Sequence, residues 1–364
     1  MLPLVNLTGR ADDEYFADGM TEMLTTELSS ISALRIVSRQ SVRAFKGSDR
    51  PLRDLSELLG VDAVLEGSVL RAGDRIRVLV QLVRVEPEEH LWADAYDREL
   101  SDVLTLYSEI ARSVAAEVQA RLTNDERQRL SAGAQRSVDP AAYDSFLRGV
   151  ALFGKSQYGE ALDHFGKAVA RDPELPEAHA WMAAGLGRLA LVVGPQLGAA
   201  MKQEVEMALR LGPDLQWAHT VHGSWLAYFT YDWRAADSAF QRAINAKRRD
   251  NRALQDYALF LVGQCRFEET AAAVQEWLHL DPGVAGPHFA LGYLRHKMRR
   301  FEESTEQLEF TLAHWPEYVY TPIWLACNYA FLGRADEAIG LMRRAVEAAP
   351  NYSILLGYAG ACSG

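Results

Sequence analysis

The chain has 364 residues, about half of them apolar and a quarter charged, a composition typical of a folded protein with two or three domains. Its formal net charge is −11 and neither half is basic, so the sequence lacks the electrostatic footprint of a nucleic-acid or anionic-membrane binder. The longest apolar stretch, 180–195, contains Arg188 and is too short to span a bilayer. Because the start shows no signal-peptide pattern, we expect a cytoplasmic protein, or a periplasmic one if a membrane anchor lies upstream.

The first 123 residues alternate between strand-like and helix-like segments. Three strand-like runs at 63–70, 75–85 and 90–99 alternate apolar and polar residues, which predicts an antiparallel meander. The whole order predicts a small α+β domain, a mixed sheet covered on one face by helices. Before the meander we predict strands at 2–7 and 34–38 and helices at 12–31 and 52–59, and after it a helix at about 103–122.

Most of this region resembles one known family. The segments VNLTG at 5–9, EYFADGMTEMLTTELSSI at 14–31 and LLGVDAVLEGSVLRAGDRIRVLVQLV at 58–83 are similar to the TolB amino-terminal-like domain, as are HLWADAYDREL and YSEIARSVAAEVQARL further on. The resemblance covers about residues 1–123. In that family the domain commonly precedes tetratricopeptide repeats. It often follows a bacterial nucleotide cyclase, protein kinase or winged-helix DNA-binding domain.

Residues 140–364 repeat a pattern of paired helices. Pro282, Pro316 and Pro350 each follow a helix-like segment and are 34 residues apart, and Pro173 and Pro213 mark a longer unit of 40. In each unit a small residue in the first helix is matched by a large apolar residue in the second, which lets two antiparallel helices approach closely. The small residues are Gly149, Ala183, Gly223, Ala258, Gly292 and Ala326, and the large ones are Phe165, Val205, Phe240, Val274, Leu308 and Met342.

This period and pattern, with segments such as FGKAVARDP at 165–173, resembles the tetratricopeptide repeat family. The resemblance covers 140–364 and implies an all-α superhelical solenoid of six units and a partial seventh, joined to the α+β domain by a linker at 124–139. The partial unit starts after Pro350 and lacks a second helix. We therefore expect either that the natural chain continues or that this end self-associates.

The sequence offers no set of residues with recognisable catalytic chemistry, which predicts a protein that is not an enzyme and has no metal or cofactor. Asp18 opens a helical run but lacks the lysine and hydroxyl residue of a phosphate loop. His90 and Asp94 would share one face of a strand, and His219 and His222 lie three residues apart on a helix. For these pairs we prefer a solvated strand and a packing role over a metal site.

The tetratricopeptide resemblance implies that the first helix of each pair lines the surface that binds a partner. The residues expected there are rich in aromatic rings, which suits a peptide or protein ligand, although aromatics also pack between units. Paired Lys and Asn residues that would clamp a peptide carboxylate are missing at the comparable places. The predicted partner-binding residues are Trp217, Tyr228, Arg252, Gln255, Phe289, Tyr293, Lys297, Tyr320 and Phe331.

These patterns favour a protein–protein interaction or regulatory module from a bacterial signalling protein, with no direct contact to nucleic acid. The same patterns are compatible with two alternatives. The α+β domain could sense a small molecule and relay it to the repeats. The chain could also be the regulatory portion of an adenylate cyclase or Ser/Thr kinase whose catalytic domain lies elsewhere.

Overall fold

The structure, a computed structural model, describes residues 1–42, 45, 52–133, 136–245 and 251–348 and divides into two compact units. The first unit comprises residues Met1–Ala253 and the second Leu254–Gly364. A small sheet with its helices is followed by helical hairpins, which confirms the predicted fold class. The partial seventh repeat expected after Pro350 lies outside the described residues.

Within the described residues, the sheet has the strand order β1 (Val5–Asn6), β2 (Ala63–Ala72), β3 (Arg75–Arg84) and β4 (Glu89–Glu99). β1 pairs with β2 in parallel, and the other strands form the predicted antiparallel meander. Along β3, side chains such as those of Ile76 and Val78 are buried, while those of Arg75 and Arg77 are exposed. One face of the sheet therefore belongs to the core.

The strand predicted at 34–38 is wrong. This segment has no strand hydrogen bonds, because β1 already occupies the edge of the sheet beside β2. Leu34 and Ile36 instead pack as irregular chain against the core. Apolar alternation over five residues is thus satisfied here by burial without strand pairing.

The helices of this region are α1 (Glu14–Ser29), α2 (Arg39–Val42), α3 (Leu52–Leu59), α4 (Val103–Glu117) and α5 (Asn124–Gly133). α1 buries Phe16, Met20, Leu24 and Leu28 at helical spacing, as predicted. α4 stops five residues before the predicted end at Leu122, because the backbone of Gln119 turns into the left-handed region at φ 54°.

The expected linker at 124–139 contains α5 and is tied to the α+β region. The Glu126 carboxylate accepts hydrogen bonds from the backbone N–H groups of Ser32 at 2.8 Å and Thr123 at 2.6 Å. The Val138 N–H donates to the carbonyl of Ser101 at 2.9 Å. The division of the chain into domains at this segment stays a prediction.

The repeats follow as consecutive helix pairs. In the first unit they are α6 (Pro140–Phe153) with α7 (Tyr158–Arg171), α8 (Pro176–Val193) with α9 (Gly198–Leu211), and α10 (Gln216–Trp225) with α11 (Trp233–Asn245). α12 (Asn251–Gly263) begins in the first unit. The second unit contains α13 (Phe267–Leu280), α14 (Ala285–Lys297), α15 (Phe301–His314), α16 (Thr321–Phe331) and α17 (Ala335–Ala348).

The predicted small–large pairs hold these hairpins together. A Cβ atom added at Gly149 would overlap the Phe165 ring, and one added at Gly223 would lie 2.9 Å from the Phe240 ring. The same contact recurs in the second unit between Gly292 and Leu308. Each large side chain thus fills the space that the missing side chain leaves.

A recurring histidine joins the end of one pair to the start of the next. The Nε2 of His179 donates to the carbonyl of Pro173 at 3.0 Å, and that of His219 to Pro213 at 2.7 Å. His288 makes the same bond to Pro282 in the second unit. A histidine six residues after the turn proline is the sequence signal for this contact.

The turn between the two helices of a pair places one residue in the left-handed region of backbone conformation. The residues are Ser156 at φ 60°, Tyr231 at 58°, Cys265 at 57° and Arg299 at 62°. Glycine is the residue that adopts this conformation without strain, so these four side chains are held there against a local preference.

Candidate functional site

Helix α1 of the α+β region lies directly on α6, the first helix of the repeats. A Cβ atom added at Gly19 would lie 2.9 Å from the Cβ of Leu147, so the two helices meet with almost no side chain between them. Neighbouring Asp18 is 9% exposed and ion-paired with Arg39 at 3.3 Å. These contacts indicate a packing role for the Asp18 region.

A polar cluster fixes the same contact at its edge. The Tyr15 hydroxyl donates to Asp144 at 2.5 Å and accepts from Arg148 at 2.8 Å, and Arg71 of β2 forms an ion pair with Asp144. Burial and the hydrogen bond to Asp144 raise the pKa of Tyr15 to about 12. The phenol therefore stays protonated and acts as a structural donor.

The start of α12 carries a second contact to α1, the Arg252 site. The Arg252 guanidinium lies over the rings of Trp181 at 5.1 Å and Trp217 at 4.6 Å, and its Nη1 is 3.2 Å from the carboxylate of Glu22 on α1. Trp217 is only 6% exposed. Two predicted partner-binding residues, Trp217 and Arg252, are thus engaged within the chain.

In the second unit, α14 and α16 bring several predicted site residues together. The rings of Phe289 and Tyr293 stack at 5.9 Å, and Phe289 also lies 6.2 Å from Tyr320. Phe289 is 6% exposed, whereas Tyr293 and Tyr320 are half-buried. The aromatic residues therefore serve both as packing between repeats and as a partly accessible face.

Lys297 completes a second cation–aromatic arrangement, the Lys297 site. Its ammonium lies 5.2 Å from the ring of Tyr293 and 5.2 Å from that of Trp324, and the two rings are 4.5 Å apart. The sequence analysis missed Trp324, although it stands one helical turn after Tyr320 on the same helix. Lys297 itself is exposed.

A buried chain of hydrogen bonds supports this face. The Nδ1 of His296 donates to Asn328 at 2.6 Å, Asn328 donates to Ser304 at 2.7 Å, and Ser304 donates to the carbonyl of Gly292 at 2.7 Å. Burial lowers the pKa of His296, so the neutral imidazole is favoured. These three hydrogen bonds fix α14, α15 and α16 relative to one another beneath the aromatic face.

The remaining predicted site residues lie apart from the Lys297 site. Phe331 is 63% exposed at the end of α16, where its ring stacks on Phe301 at 4.6 Å. Gln255 is half-buried on α12. In the first unit, Tyr228 is 49% exposed in a π-helical turn that follows α10.

The described ranges contain no group of three or more His, Cys, Asp or Glu side chains arranged to hold a metal ion. His219 is bonded to the Pro213 carbonyl, and His222 stacks on Trp225 with ring centroids 6.0 Å apart. Of the helices that the structure describes, none is long and apolar enough to cross a membrane.

Comparison with known proteins supports the repeat assignment. A tetratricopeptide repeat family model matches residues 323–352. The chain is 37% identical over 183 residues to "Putative adenylate cyclase 3" of Rhizobium meliloti (strain 1021). That match covers 50% of this chain but only 31% of the relative, so it spans about a third of that protein's length.

Solved structures are similar in fold at low sequence identity. A tetratricopeptide repeat protein from Parabacteroides merdae is 11% identical with a TM-score of 0.50, covering 73% of this chain and 99% of its own. The human IFIT1 dimer with m7Gppp-AAAA is 16% identical with a TM-score of 0.50, covering 66% of this chain and 55% of its own. The tetratricopeptide-type fold is thereby confirmed. The likeness of residues 1–123 to the TolB amino-terminal-like domain remains an interpretation.

Proposed function

We propose that the chain is a protein-binding regulatory module and that its partner docks on the face formed by α14 and α16. The observation that carries this proposal is the Lys297 site, where an exposed cation lies over two aromatic rings. Tyr and Trp side chains on a rigid surface are among the residue types that dominate binding energy at protein interfaces. The hydrogen-bonded chain from His296 to Gly292 supplies that rigidity.

The other predicted partner-binding residues fit this proposal to different degrees. Tyr320 is the N-cap of α16 and Phe331 its last residue, so both extend the face that Trp324 forms. A partner could contact Arg252 only by replacing Glu22, because that carboxylate already binds the guanidinium. We therefore place the primary contact on the second unit and keep the Arg252 site as a secondary candidate.

The test is cross-linking of the full chain in cells, identification of the bound partner, and measurement of its affinity for purified variants. We expect Tyr293→Ala to weaken binding by more than about tenfold, because truncated interface aromatics commonly cost that much or more. Trp233→Ala, which truncates an aromatic that is 51% exposed on α11, is the matched control and should bind like the wild type. Unchanged affinity of Tyr293→Ala, or its loss of folding, would contradict the proposal.

A second candidate function is regulation of an adenylate cyclase. What supports it is the 37% identity to "Putative adenylate cyclase 3" over half of this chain. Deletion of the matching segment from that relative should change its rate of cyclic AMP formation, whereas the present chain alone should form none. An unchanged rate in the deleted protein would count against this function.

A further inference from the structure

The Arg252 site shows what kind of group a cation–aromatic pair on these helices binds. The Arg252 cation lies over two indole rings that belong to α8 and α10. Its charge is balanced by the carboxylate of Glu22, a side chain of helix α1 that is 22% exposed. In this chain, therefore, a cation held against two rings is completed by a carboxylate that a helix brings to it.

The Lys297 site has the same composition without the carboxylate. Lys297 lies over Tyr293 and Trp324, and within the ranges that the structure describes no acidic side chain is within ion-pair distance of it. Arg299, two residues further on, is exposed and also has no acidic partner among those residues. The neighbouring Arg300, by contrast, is paired with Glu303 at 2.8 Å.

Lys297 and Arg299 are two exposed cations in a chain whose net charge is −11. An acidic group of a partner would be attracted to the neighbourhood of Lys297 and Arg299, whereas the net charge of the chain would repel a strongly acidic partner as a whole. Phe331, whose ring lies 5.9 Å from that of His296, offers an apolar ring that is 63% exposed. The surface thus matches a ligand with an acidic group beside an apolar one.

We propose that the Lys297 site binds an Asp or Glu side chain carried on an amphipathic helix of a partner protein. This rests on the proposed function and names the chemical class of its ligand. The partner carboxylate would receive hydrogen bonds from Lys297 and Arg299, and an apolar residue of the same helix would pack on Phe331. The arrangement is the intermolecular counterpart of Glu22 on Arg252.

Arg299 allows a variant in which lost binding cannot be ascribed to lost folding. Its φ of 62° lies in the region that favours glycine. Arg299→Gly therefore removes a cation of the site and relieves the local backbone at the same time. The proposal requires this variant to fold at least as well as the wild type and yet to bind its ligand less tightly.

The experiment is selection of 20-residue peptides on the full chain, followed by fluorescence anisotropy with each selected peptide. Peptides whose binding depends on Tyr293 should carry Asp or Glu and become helical when bound. Their Kd should rise about tenfold in Lys297→Met and recover in Lys297→Arg, as expected for a charge-assisted hydrogen bond. Lys202→Met is the matched control, because Lys202 also lies over an aromatic ring, that of Trp225, but already pairs with Glu206.

The outcomes separate this inference from the proposed function. The inference of a carboxylate ligand would be contradicted by Tyr293-dependent peptides that lack acidic residues. It would also be contradicted by peptides that bind Lys297→Met and Arg299→Gly as tightly as the wild type. Either result would leave the proposed binding face intact. Acidic peptides that stay extended when bound would contradict the inference that the ligand is a helix. If no selected peptide depends on Tyr293, the proposed function itself fails.

Discussion

The Nδ1 of His179 lies 2.6 Å from the carboxylate of Glu204, while its Nε2 lies 3.0 Å from the carbonyl of Pro173. Because both acceptors lack protons to give, both ring nitrogens must donate, and the imidazole is held in its charged form. Burial alone would lower the pKa of His179, but the hydrogen bonds to Glu204 and Pro173 outweigh it and raise the pKa.

The hydrogen bond between His179 and Glu204 should make the stability of the fold depend on pH. A pKa raised on folding contributes stability that is complete below the unfolded pKa of about 6.5 and is lost as pH rises through the folded value. Glu204→Gln should lower the free energy of unfolding by roughly 1.5–3 kcal/mol at pH 6 and flatten this dependence. Urea unfolding between pH 5.5 and pH 9 measures it, with Glu206→Gln on the same helix as the control. Equal pH slopes in wild type and Glu204→Gln would refute the assignment.

Glu126 should give stability the opposite pH dependence to that of His179. Burial raises the pKa of a carboxyl group, but hydrogen bonds from Ser32 and Thr123 prevail and lower the pKa of Glu126 to about 2. Its contribution is present above the unfolded value of about 4.5 and disappears as pH falls towards 2. Glu126→Gln should therefore make residues 124–139 more sensitive to limited proteolysis at pH 7 than the wild type. The same cleavage rate in both proteins would show that the carboxylate does not hold α5.

The small–large pairs predict that a change from glycine to alanine alters the free energy of unfolding in opposite directions at two positions. Gly223→Ala should lower the free energy of unfolding by about 1–3 kcal/mol, because its Cβ would lie 2.9 Å from the Phe240 ring. Gly166→Ala, on α7 with no atom within 4 Å of the added Cβ, should instead stabilise by about 0.5–1 kcal/mol. Thermal unfolding of both variants is the measurement, and Phe240→Leu should partly rescue Gly223→Ala. Similar effects at both positions would contradict the close packing.

Cys265 should tolerate glycine better than its natural side chain. Its φ of 57° costs a non-glycine residue about 1–2 kcal/mol, while the greater freedom of glycine in the unfolded chain costs about 0.5–1 kcal/mol. Cys265→Gly should therefore stabilise by about 0.5–1 kcal/mol. Cys265→Ser keeps the strain and should be neutral in chemical unfolding. A less stable glycine variant would show that the turn is not strained.

The ion pair between Glu22 and Arg252 should couple α1 to the repeats. Glu22→Gln should lower the free energy of unfolding of the full chain by about 1–2 kcal/mol, with little further loss when Arg252→Gln is added. Tryptophan fluorescence reports the contact, since Arg252 lies over Trp181 and Trp217. Glu57→Gln, at an exposed residue whose carboxylate pairs with Arg53 at 3.1 Å, serves as a control. Additive losses in the double variant would exclude the coupling.

The sequence was sufficient for features that are local or periodic. The spacing of 16 residues between Gly149 and Phe165 recurs between Gly292 and Leu308, and alternation along β3 is visible within ten residues. The contact between Glu22 and Arg252 could not be predicted, because 230 residues separate them and no local pattern links their positions. Trp324 could have been found, since one turn of helix separates it from Tyr320. The prediction of a strand at 34–38 was wrong because strand pairing depends on which edge of the sheet is free.

The histidine–proline contact explains how the repeat of 40 residues fits beside those of 34. The distance from turn proline to histidine is the same at Pro173–His179 and at Pro213–His219, on both sides of the long unit. The additional residues are accommodated within the hairpin, where α8 runs to Val193 and a short turn leads into α9. Insertions and deletions among related chains should therefore collect between the two helices of a pair. The junction from one helix pair to the next should keep its length.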